Sequence, residues 1–537
     1  FPPFLVTLLC VTDQAVPDGV DVLSLSVGPN GLPRRNLTFM STFDLALLSA
    51  VKAGVFVTQA VGNGGPYPRT SLSFSPWIFS VAAATHDRAY PNAITLGSIT
   101  GTGLACKIHA TGTNGSFSLI TAADATNGNV SRILVDECQD AGNYNRSLVS
   151  GRILVCSYSL RYLFGVSTLA DTVAAVQELR ASGLVFLATP DVDGHSFPPS
   201  PIGFPVIIIP SSKDSAVKFI RHLSWILTIS LHLPPGVAPL LQHIHGHGHH
   251  SRRPHQGGDV LVPDVNSNNL DVADVLKPNI LPPGNLIWAA WSSIGSDERE
   301  FEGQEFALIS GASMATPHIA GIAALVKQRF PSLSPAGIAS AMSTTALTLD
   351  SNGQPLLAQH PSSNVDSILG PATPFDFGAG FVNPAAAIDP GLIFDAGFRD
   401  YIQFLCSIPA LSNSTVSAAT GSSFFTSSSF ASDLNTPYVS IASLNGARSV
   451  VRIATSVSER DEAYNATLVV PAGVSVTVQP SSFSVRGGQL VKLTLTLKAL
   501  VTSSAPIFGE LLLDGDRGHR LHLPICVSSK IASSGTS

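Results

Sequence analysis

The chain has 537 residues, of which 45% are hydrophobic and 12% charged, and its formal net charge is −6. This length and apolar content can bury several cores, so we expect roughly two to four domains. The charge balance disfavours a nucleic-acid partner. Charged residues or proline interrupt the longest apolar stretches before they reach a spanning length, so we expect no membrane-spanning helix.

The sequence opens with Phe1 and the run FPPFLVTLLC, which has no positively charged region and no small-residue cleavage site. We therefore do not interpret it as a signal peptide, and we expect the start to be a truncation.

Residues 1–99 contain a predicted βαβ unit. A strand at 20–28 is followed by a helix at 43–54 and a second strand at 55–63 that is apolar on both faces. This order predicts parallel strands in a sheet covered by helices. The second strand ends in Gly62-Asn63-Gly64, and the ends of parallel strands are where such sheets bind ligands.

Residues 100–235 change to short strands and turns, which predicts an inserted α+β domain. The predicted elements are strands at 151–159, 183–188 and 204–210 and a helix at 169–182. Cys138 and Cys156 lie around the first strong strand, and we predict that they pair, although spacing alone does not fix connectivity.

Residues 236–262 form a low-complexity segment with six histidines. Neutral imidazoles bind zinc or nickel, but a run without fixed geometry usually binds metals adventitiously. The six cysteines of the chain contain no CxxC spacing, which disfavours a zinc knuckle. We predict no metal site and no cofactor.

Residues 263–405 contain the most informative stretch, GASMATPH at 311–318, which leads into an apolar helix. Ser313 lies at a helix start after a glycine, where its side chain and amide N–H can face a ligand. Pro317 is expected in the first turn, where a missing N–H is tolerated. The alternative is that Ser313 only caps a helix, which is the commoner role of a serine at this position.

Residues 436–528 alternate apolar and polar side chains at 473–480 and 491–498, and a turn at Asp514-Gly515 predicts a hairpin. These strands predict a β-sandwich of the fibronectin type III kind.

Several of these motifs together resemble the subtilisin-like serine proteases, or subtilases, of the plant branch. GASMATPH resembles the GTSMAxPH box of the family, and further matching blocks occur in the family's order. They are DGVDVLSLSVG (18–28), AVGNGGP (60–66), SPWIFSVAAATHDRAYPN (75–92), DVLKPNILPPGNLIWAAW (274–291) and GAGFVNPAAAIDPGLIFD (378–395). The resemblance implies an incomplete subtilisin-like doubly wound parallel sheet, an inserted protease-associated domain and a C-terminal fibronectin type III-like domain.

The resemblance also implies a serine-type endopeptidase with a polypeptide substrate. Ser313 would attack the scissile carbonyl, and Asn63 with the Ser313 N–H would hold the oxyanion. Gly62 and Gly64 on either side of Asn63 would bind the substrate. The segment Ser26-Val27-Gly28 would line the substrate by strand pairing. The alternatives are a turn residue at 63 and an ordinary buried strand at 26–28. A homodimer through the inserted domain is a further expectation.

This sequence departs from the family pattern in the residues that would supply the catalytic general base. The resemblance places an aspartate and a histidine before the DGVDV strand, but no histidine occurs there, and the first histidine is His86. A serine without a general base is a weak nucleophile, so we expect the chain as given to be inactive. The rival hypothesis is a non-catalytic peptide-binding or degenerate subtilase.

Six N-x-S/T sequons support a secreted, extracellular glycoprotein, although a Ser/Thr-rich chain produces some by chance. They are Asn36, Asn114, Asn129, Asn145, Asn413 and Asn465.

Overall fold

The structure is a computed structural model, and it describes most of the chain. The described residues are 3–27, 39–64, 71–86, 91–96, 99–105, 115–128, 130–163, 166–187, 204–209, 229–231, 254–255, 274–295, 301–359, 369–423 and 430–530. Gly28, the sequons at Asn36, Asn114 and Asn129, and most of the His-rich segment lie outside them.

The first sheet confirms the predicted βαβ unit. Strands β1 (Val22–Leu25), β2 (Phe56–Ala60) and β3 (Phe79–Val81) lie side by side in this order, and both pairs are parallel. Helix α1 (Pro3–Ala15) precedes β1, and helix α2 (Thr42–Lys52) connects β1 to β2. Parallel pairing requires such a crossover, because the chain must return to the same end of the sheet.

Local signals fix the ends of α2. The Ser41 side chain accepts a hydrogen bond from the amide of Asp44 and so caps the first turn. Gly54, with a φ of 98°, follows the last turn. Strand β2 is buried at each of its positions, as expected for a strand with both faces covered.

Eight described strands form a second sheet in the order β7-β12-β5-β6-β11-β10-β9-β8. Their bounds, after the short β4 (Ala83–Ala84), are β5 (Pro91–Leu96), β6 (Ile99–Ala105), β7 (Gly115–Phe117), β8 (Leu119–Thr121), β9 (Ile153–Ser157), β10 (Gly183–Leu187), β11 (Val206–Ile209) and β12 (Ile229–Leu231). The sheet contains the three predicted strands as β9, β10 and β11. Its strand β5 comes before the boundary predicted at residue 99.

Short helices accompany this sheet. They are α3 (Ala122–Ala125), α4 (Arg132–Glu137), α5 (Arg146–Val149), α6 (Leu160–Leu163) and α7 (Leu169–Glu178). The predicted helix at 169–182 is α7, which ends at Glu178 because Leu179 and Arg180 turn back toward β10, with Arg180 at a φ of 58°.

A disulfide joins Cys138, which follows α4, to Cys156 in β9, across a sequence separation of 18 residues. We expect that replacing both cysteines by alanine lowers the free energy of unfolding by about 3 kcal/mol, because the bond restricts the unfolded chain. Urea unfolding of the variant and the parent checks this. The control is Cys10→Ser, since Cys10 is free and exposed. Equal unfolding midpoints for all three proteins would contradict the prediction.

The helix predicted at Ser313 is confirmed as α8 (Ala312–Arg329), and α9 (Pro335–Thr344) packs against it. Alternate residues of β2 face opposite sides of the first sheet. Val57 packs in the cluster that contains Leu48 of α2, whereas Phe56 packs in the cluster that contains Ile319 of α8. The sheet is therefore covered by α2 on one face and α8 on the other.

Small strand pairs and helices complete this part. The bounds are β13 (Pro254–His255), β14 (Ile287–Ala290), β15 (Phe306–Ile309), β16 (Leu357–Gln359), β17 (Leu369–Pro371), α10 (Pro374–Phe377), α11 (Pro384–Ala387), α12 (Phe398–Ser407) and α13 (Asn413–Thr420). Within the described ranges, no helix combines the length and apolarity that a bilayer crossing requires.

The predicted β-sandwich is confirmed and consists of two sheets, with strand orders β18-β20-β24-β22 and β19-β26-β25-β21-β23. The bounds are β18 (Leu392–Phe394), β19 (Val439–Asn445), β20 (Ala447–Ser456), β21 (Glu462–Val469), β22 (Val474–Gln479), β23 (Ser482–Val485), β24 (Leu490–Ala499), β25 (Ser503–Gly515) and β26 (Arg520–Lys530). The predicted hairpin is β25–β26. Strand β18 comes from the preceding region and pairs with β20, so the two regions share a sheet.

Candidate active site

Ser313 is the second residue of α8 and is half-buried, so its hydroxyl is reachable from outside. The turn before it depends on Gly311, which has a φ of 147°. A Cβ on Gly311 would lie 3.1 Å from Nδ2 of Asn63. Glycine is favoured here because it tolerates this φ and leaves room for the asparagine.

Asn63 and the start of α8 meet in the structure, although 249 residues separate them. The Asn63 Oδ1 accepts a hydrogen bond of 2.9 Å from the Ala312 amide. This bond supplies an acceptor to one of the unpaired N–H groups at the helix start and fixes the plane of the Asn63 amide. Among the hydrogen bonds of the described residues, Nδ2 of Asn63 and the N–H of Ser313 have no acceptor.

Ser26 and Ser313 exchange two hydrogen bonds. The Ser26 hydroxyl donates to the Ser313 carbonyl at 2.6 Å, and the Ser313 hydroxyl donates to the Ser26 carbonyl at 3.0 Å. The end of β1 is therefore attached directly to the candidate nucleophile.

Pro317 explains why the Ser313 carbonyl is available. We expected Pro317 in the first turn, but it is the sixth residue of α8, where an ordinary residue would donate its N–H to the carbonyl of Ser313. Proline has no N–H, so this carbonyl needs another donor, and the Ser26 hydroxyl supplies it. The prediction of a first-turn proline was wrong by less than one turn.

The other residues predicted to contact the substrate lie next to Ser26 and Asn63 in the chain. Val27 is half-buried next to Ser26, and its carbonyl accepts a hydrogen bond of 3.1 Å from Nε2 of Gln59. Gly62 is half-buried and Gly64 exposed, on either side of Asn63. Gly28 lies outside the described residues.

Comparison with known sequences identifies the family. The profile of the Subtilase family matches residues 11–380, and that of a Fibronectin type-III domain matches residues 433–527. The chain belongs to the subtilase family. Two relatives from Arabidopsis thaliana are Subtilisin-like protease SBT2.2, 42% identical over 99% of this chain, and Subtilisin-like protease SBT2.1, 43% identical over 99%.

The chain spans 63% of the length of the first relative and 65% of the second. A third, Subtilisin-like protease SBT2.5 from the same plant, is 40% identical over 98% of this chain and 65% of its own length.

Two described histidines of this subtilase, His318 and His86, contact backbone carbonyls. His318 lies on α8 and its Nδ1 contacts the carbonyl of Met314 at 3.0 Å, while Nε2 of His86 lies 3.4 Å from the carbonyl of Leu286. In the described part of the chain, the hydrogen-bond acceptor of the Ser313 hydroxyl is the Ser26 carbonyl. The same part contains no cluster of three or more side chains suited to a metal ion.

Sequence reasoning missed two contributions to this site. It considered only the backbone of Ser26, although the Ser26 hydroxyl compensates for Pro317. It also passed over Gln59, although a glutamine within the largely apolar run VFVTQAV was a visible signal.

Proposed function

We propose that this subtilase hydrolyses peptide bonds with Ser313 as the nucleophile and that it takes polypeptides as substrates. The observation that carries the proposal is the hydrogen bond between Asn63 Oδ1 and the Ala312 amide. That bond joins the loop that carries the Asn63 Nδ2 donor to the helix start that carries the Ser313 N–H and the half-buried Ser313 hydroxyl. Such a pair of donors is what stabilises the oxyanion in acyl transfer.

The reaction proceeds in two steps. In a chain that also carries the histidine of the family's HGTH segment, the Ser313 oxygen would bond to the scissile carbonyl carbon and its proton would pass to that histidine. The carbonyl oxygen would become an oxyanion stabilised by the two donors. The amine leaves with a proton, and water then hydrolyses the ester on Ser313. An extended substrate would lie along Ser26, Val27 and Gly28 and hydrogen-bond to their backbone.

We further propose that residues 1–537 by themselves are nearly inert. The Ser313 proton points at the Ser26 carbonyl, which cannot act as a base at neutral pH. In subtilisin, loss of the histidine alone lowers kcat by a factor on the order of 10⁶.

A fluorophosphonate probe tests both proposals, because it labels activated serines. We expect negligible labelling of residues 1–537 and strong labelling at Ser313 after a subtilase segment with the D-T/S-G and HGTH sequences is added ahead of Phe1. Ser313→Ala in the extended chain is the control and should abolish labelling. An extended, folded chain that is not labelled would favour the non-catalytic peptide-binding alternative.

The domain plan is part of the proposal. Residues 1–99 and 263–405 would form the catalytic domain, 100–235 an inserted protease-associated domain, 236–262 a His-rich segment and 436–528 the fibronectin type III-like domain. The shared edge strand β18 predicts that the last domain stays attached after limited proteolysis. Size-exclusion chromatography with light scattering tests for a homodimer through the insert.

We propose a secreted, extracellular location. The three sequons within the described residues, Asn145, Asn413 and Asn465, have exposed side chains that could accept a glycan, and the disulfide suits an oxidising compartment. A mass decrease after N-glycosidase treatment of the protein from plant tissue would support this location.

A further inference from the structure

Gln59 is one of two polar residues in the buried strand β2, the other being Thr58. The Gln59 side chain is 3% exposed, and every position of β2 is buried. A buried amide is costly unless it forms hydrogen bonds. The Gln59 Nε2 donates a hydrogen bond of 3.1 Å to the Val27 carbonyl, so this side chain connects β2 to the segment that follows β1.

The bond lies where two parallel strands separate. The pairing of β1 with β2 runs from Val22 opposite Phe56 to Leu25 opposite Gln59 and ends there. Beyond this point, within the described residues, β2 remains paired with β3 only, as the hydrogen bond from the Val61 amide to the Val81 carbonyl shows. Ligands of parallel sheets bind where such strands diverge at their carboxyl ends.

Two successive carbonyls of the β1 continuation are therefore held by side chains. The Ser26 carbonyl accepts from the Ser313 hydroxyl, and the Val27 carbonyl accepts from Gln59. The first bond reaches α8 and the second reaches β2, so two different elements hold the segment. Together they determine where the Ser26-Val27 segment lies relative to Ser313 and Asn63.

We propose that Gln59 is a positioning residue that holds the Ser26-Val27 segment at the spacing an extended polypeptide needs to pair with it. The proposal rests on the proposed function for the identity of the ligand. Gln59 does not touch the substrate in this account. It acts by extending the β1–β2 connection two residues beyond the backbone ladder, which keeps the binding edge in place before a polypeptide arrives.

Binding of fluorescein-labelled casein to residues 1–537, followed by fluorescence anisotropy, tests this role. We expect Gln59→Leu, which keeps the bulk and loses the amide, to weaken binding about fivefold, the effect of one lost neutral hydrogen bond. The matched control is Thr58→Val, because the buried Thr58 hydroxyl donates to the Phe79 carbonyl on the opposite side of β2, at 3.2 Å. Thr58→Val should bind casein like the parent.

The pH dependence of casein binding by Gln59→Glu distinguishes a hydrogen-bonding role of Gln59 from a role in packing alone. A carboxylate at this position would repel the Val27 carbonyl, but a protonated carboxyl would donate to it. Burial raises the pKa of a glutamate, so binding should be weak at about pH 8 and recover toward the parent at about pH 5. The Gln59→Leu defect should be the same at both values.

The inference would be overturned if Gln59→Leu bound casein like the parent or if Thr58→Val lost as much affinity as Gln59→Leu. It would also be overturned if Gln59→Glu did not recover binding in acid or if the parent did not bind casein. If casein is cleaved, KM from initial rates replaces anisotropy, with the same expectations. Failure of Ser313 labelling in the extended chain, together with the expected casein pattern, would remove the proposed catalysis and leave the role of Gln59 standing.

Discussion

Asn63→Ala in the extended, base-containing chain is expected to slow phosphonylation of Ser313 by about 10²- to 10³-fold, the loss measured for the oxyanion asparagine of subtilisin. The physical reason is that the Asn63 Nδ2 donor acts only once negative charge develops on the oxygen. The second-order rate constant for fluorophosphonate labelling measures this loss directly.

Two further variants separate the donor from the structural bond of Asn63. Asn63→Asp keeps an oxygen that can accept from the Ala312 amide but replaces the donor by a negative charge, so we expect a loss at least as large as in Asn63→Ala. Thr316→Val removes a buried hydrogen bond to the Ala312 carbonyl within α8 and should react like the parent. Full activity in Asn63→Asp would mean that Asn63 only anchors the helix start.

Arg452→Ala is expected to lower the free energy of unfolding by about 3–5 kcal/mol. Arg452 lies in β20 and is 1% exposed. Its Nε and one terminal nitrogen donate to the Tyr438 carbonyl at 3.1 and 2.7 Å, and the other terminal nitrogen donates to the Val451 carbonyl at 2.9 Å. Burial lowers the pKa of Arg452 to about 10, so the side chain remains charged at neutral pH.

The loss of stability should come mainly from the Tyr438 and Val451 carbonyls, which lose their hydrogen-bond donors, and less from the smaller side chain. Arg452→Met restores most of the volume and should therefore remain destabilised. Arg486→Ala is the control, because Arg486 is exposed and its ion pair with Asp461 spans 3.7 Å at the surface. Chemical unfolding followed by circular dichroism compares the three variants, and equal midpoints for Arg452→Ala and Arg486→Ala would contradict the prediction.

Much of the local structure follows from sequence periodicity. The helix after Ser41, the buried strand at 56–60 and the β25–β26 hairpin were predicted from patterns that span fewer than twenty residues or so, the range over which side-chain spacing reflects which face is buried. The sequence also predicted that Asn63 and Ser313 would share a site, through resemblance to a family.

Other parts of the site could not be predicted in this way. Strand β5 lies inside the eight-stranded sheet between β12 and β6, and β18 forms an edge of the sandwich, because tertiary packing decides which strands lie side by side. Pro317 has no N–H, so the Ser313 carbonyl needs another hydrogen-bond donor. Any nearby side chain or water could have supplied that donor, so the sequence did not predict the role of the Ser26 hydroxyl.

The sequence alone determined the family and the order of the elements, and it predicts Ser313 as the nucleophile. The tertiary structure alone decided that Ser26 bonds to Ser313 across 287 residues and that Gln59 reaches Val27 across 32. The physical reason is that a hydrogen bond requires two groups within about 3 Å in a suitable orientation. For residues far apart in the chain, the packing of strands β1 and β2 against helix α8 brings the two groups to this distance and orientation.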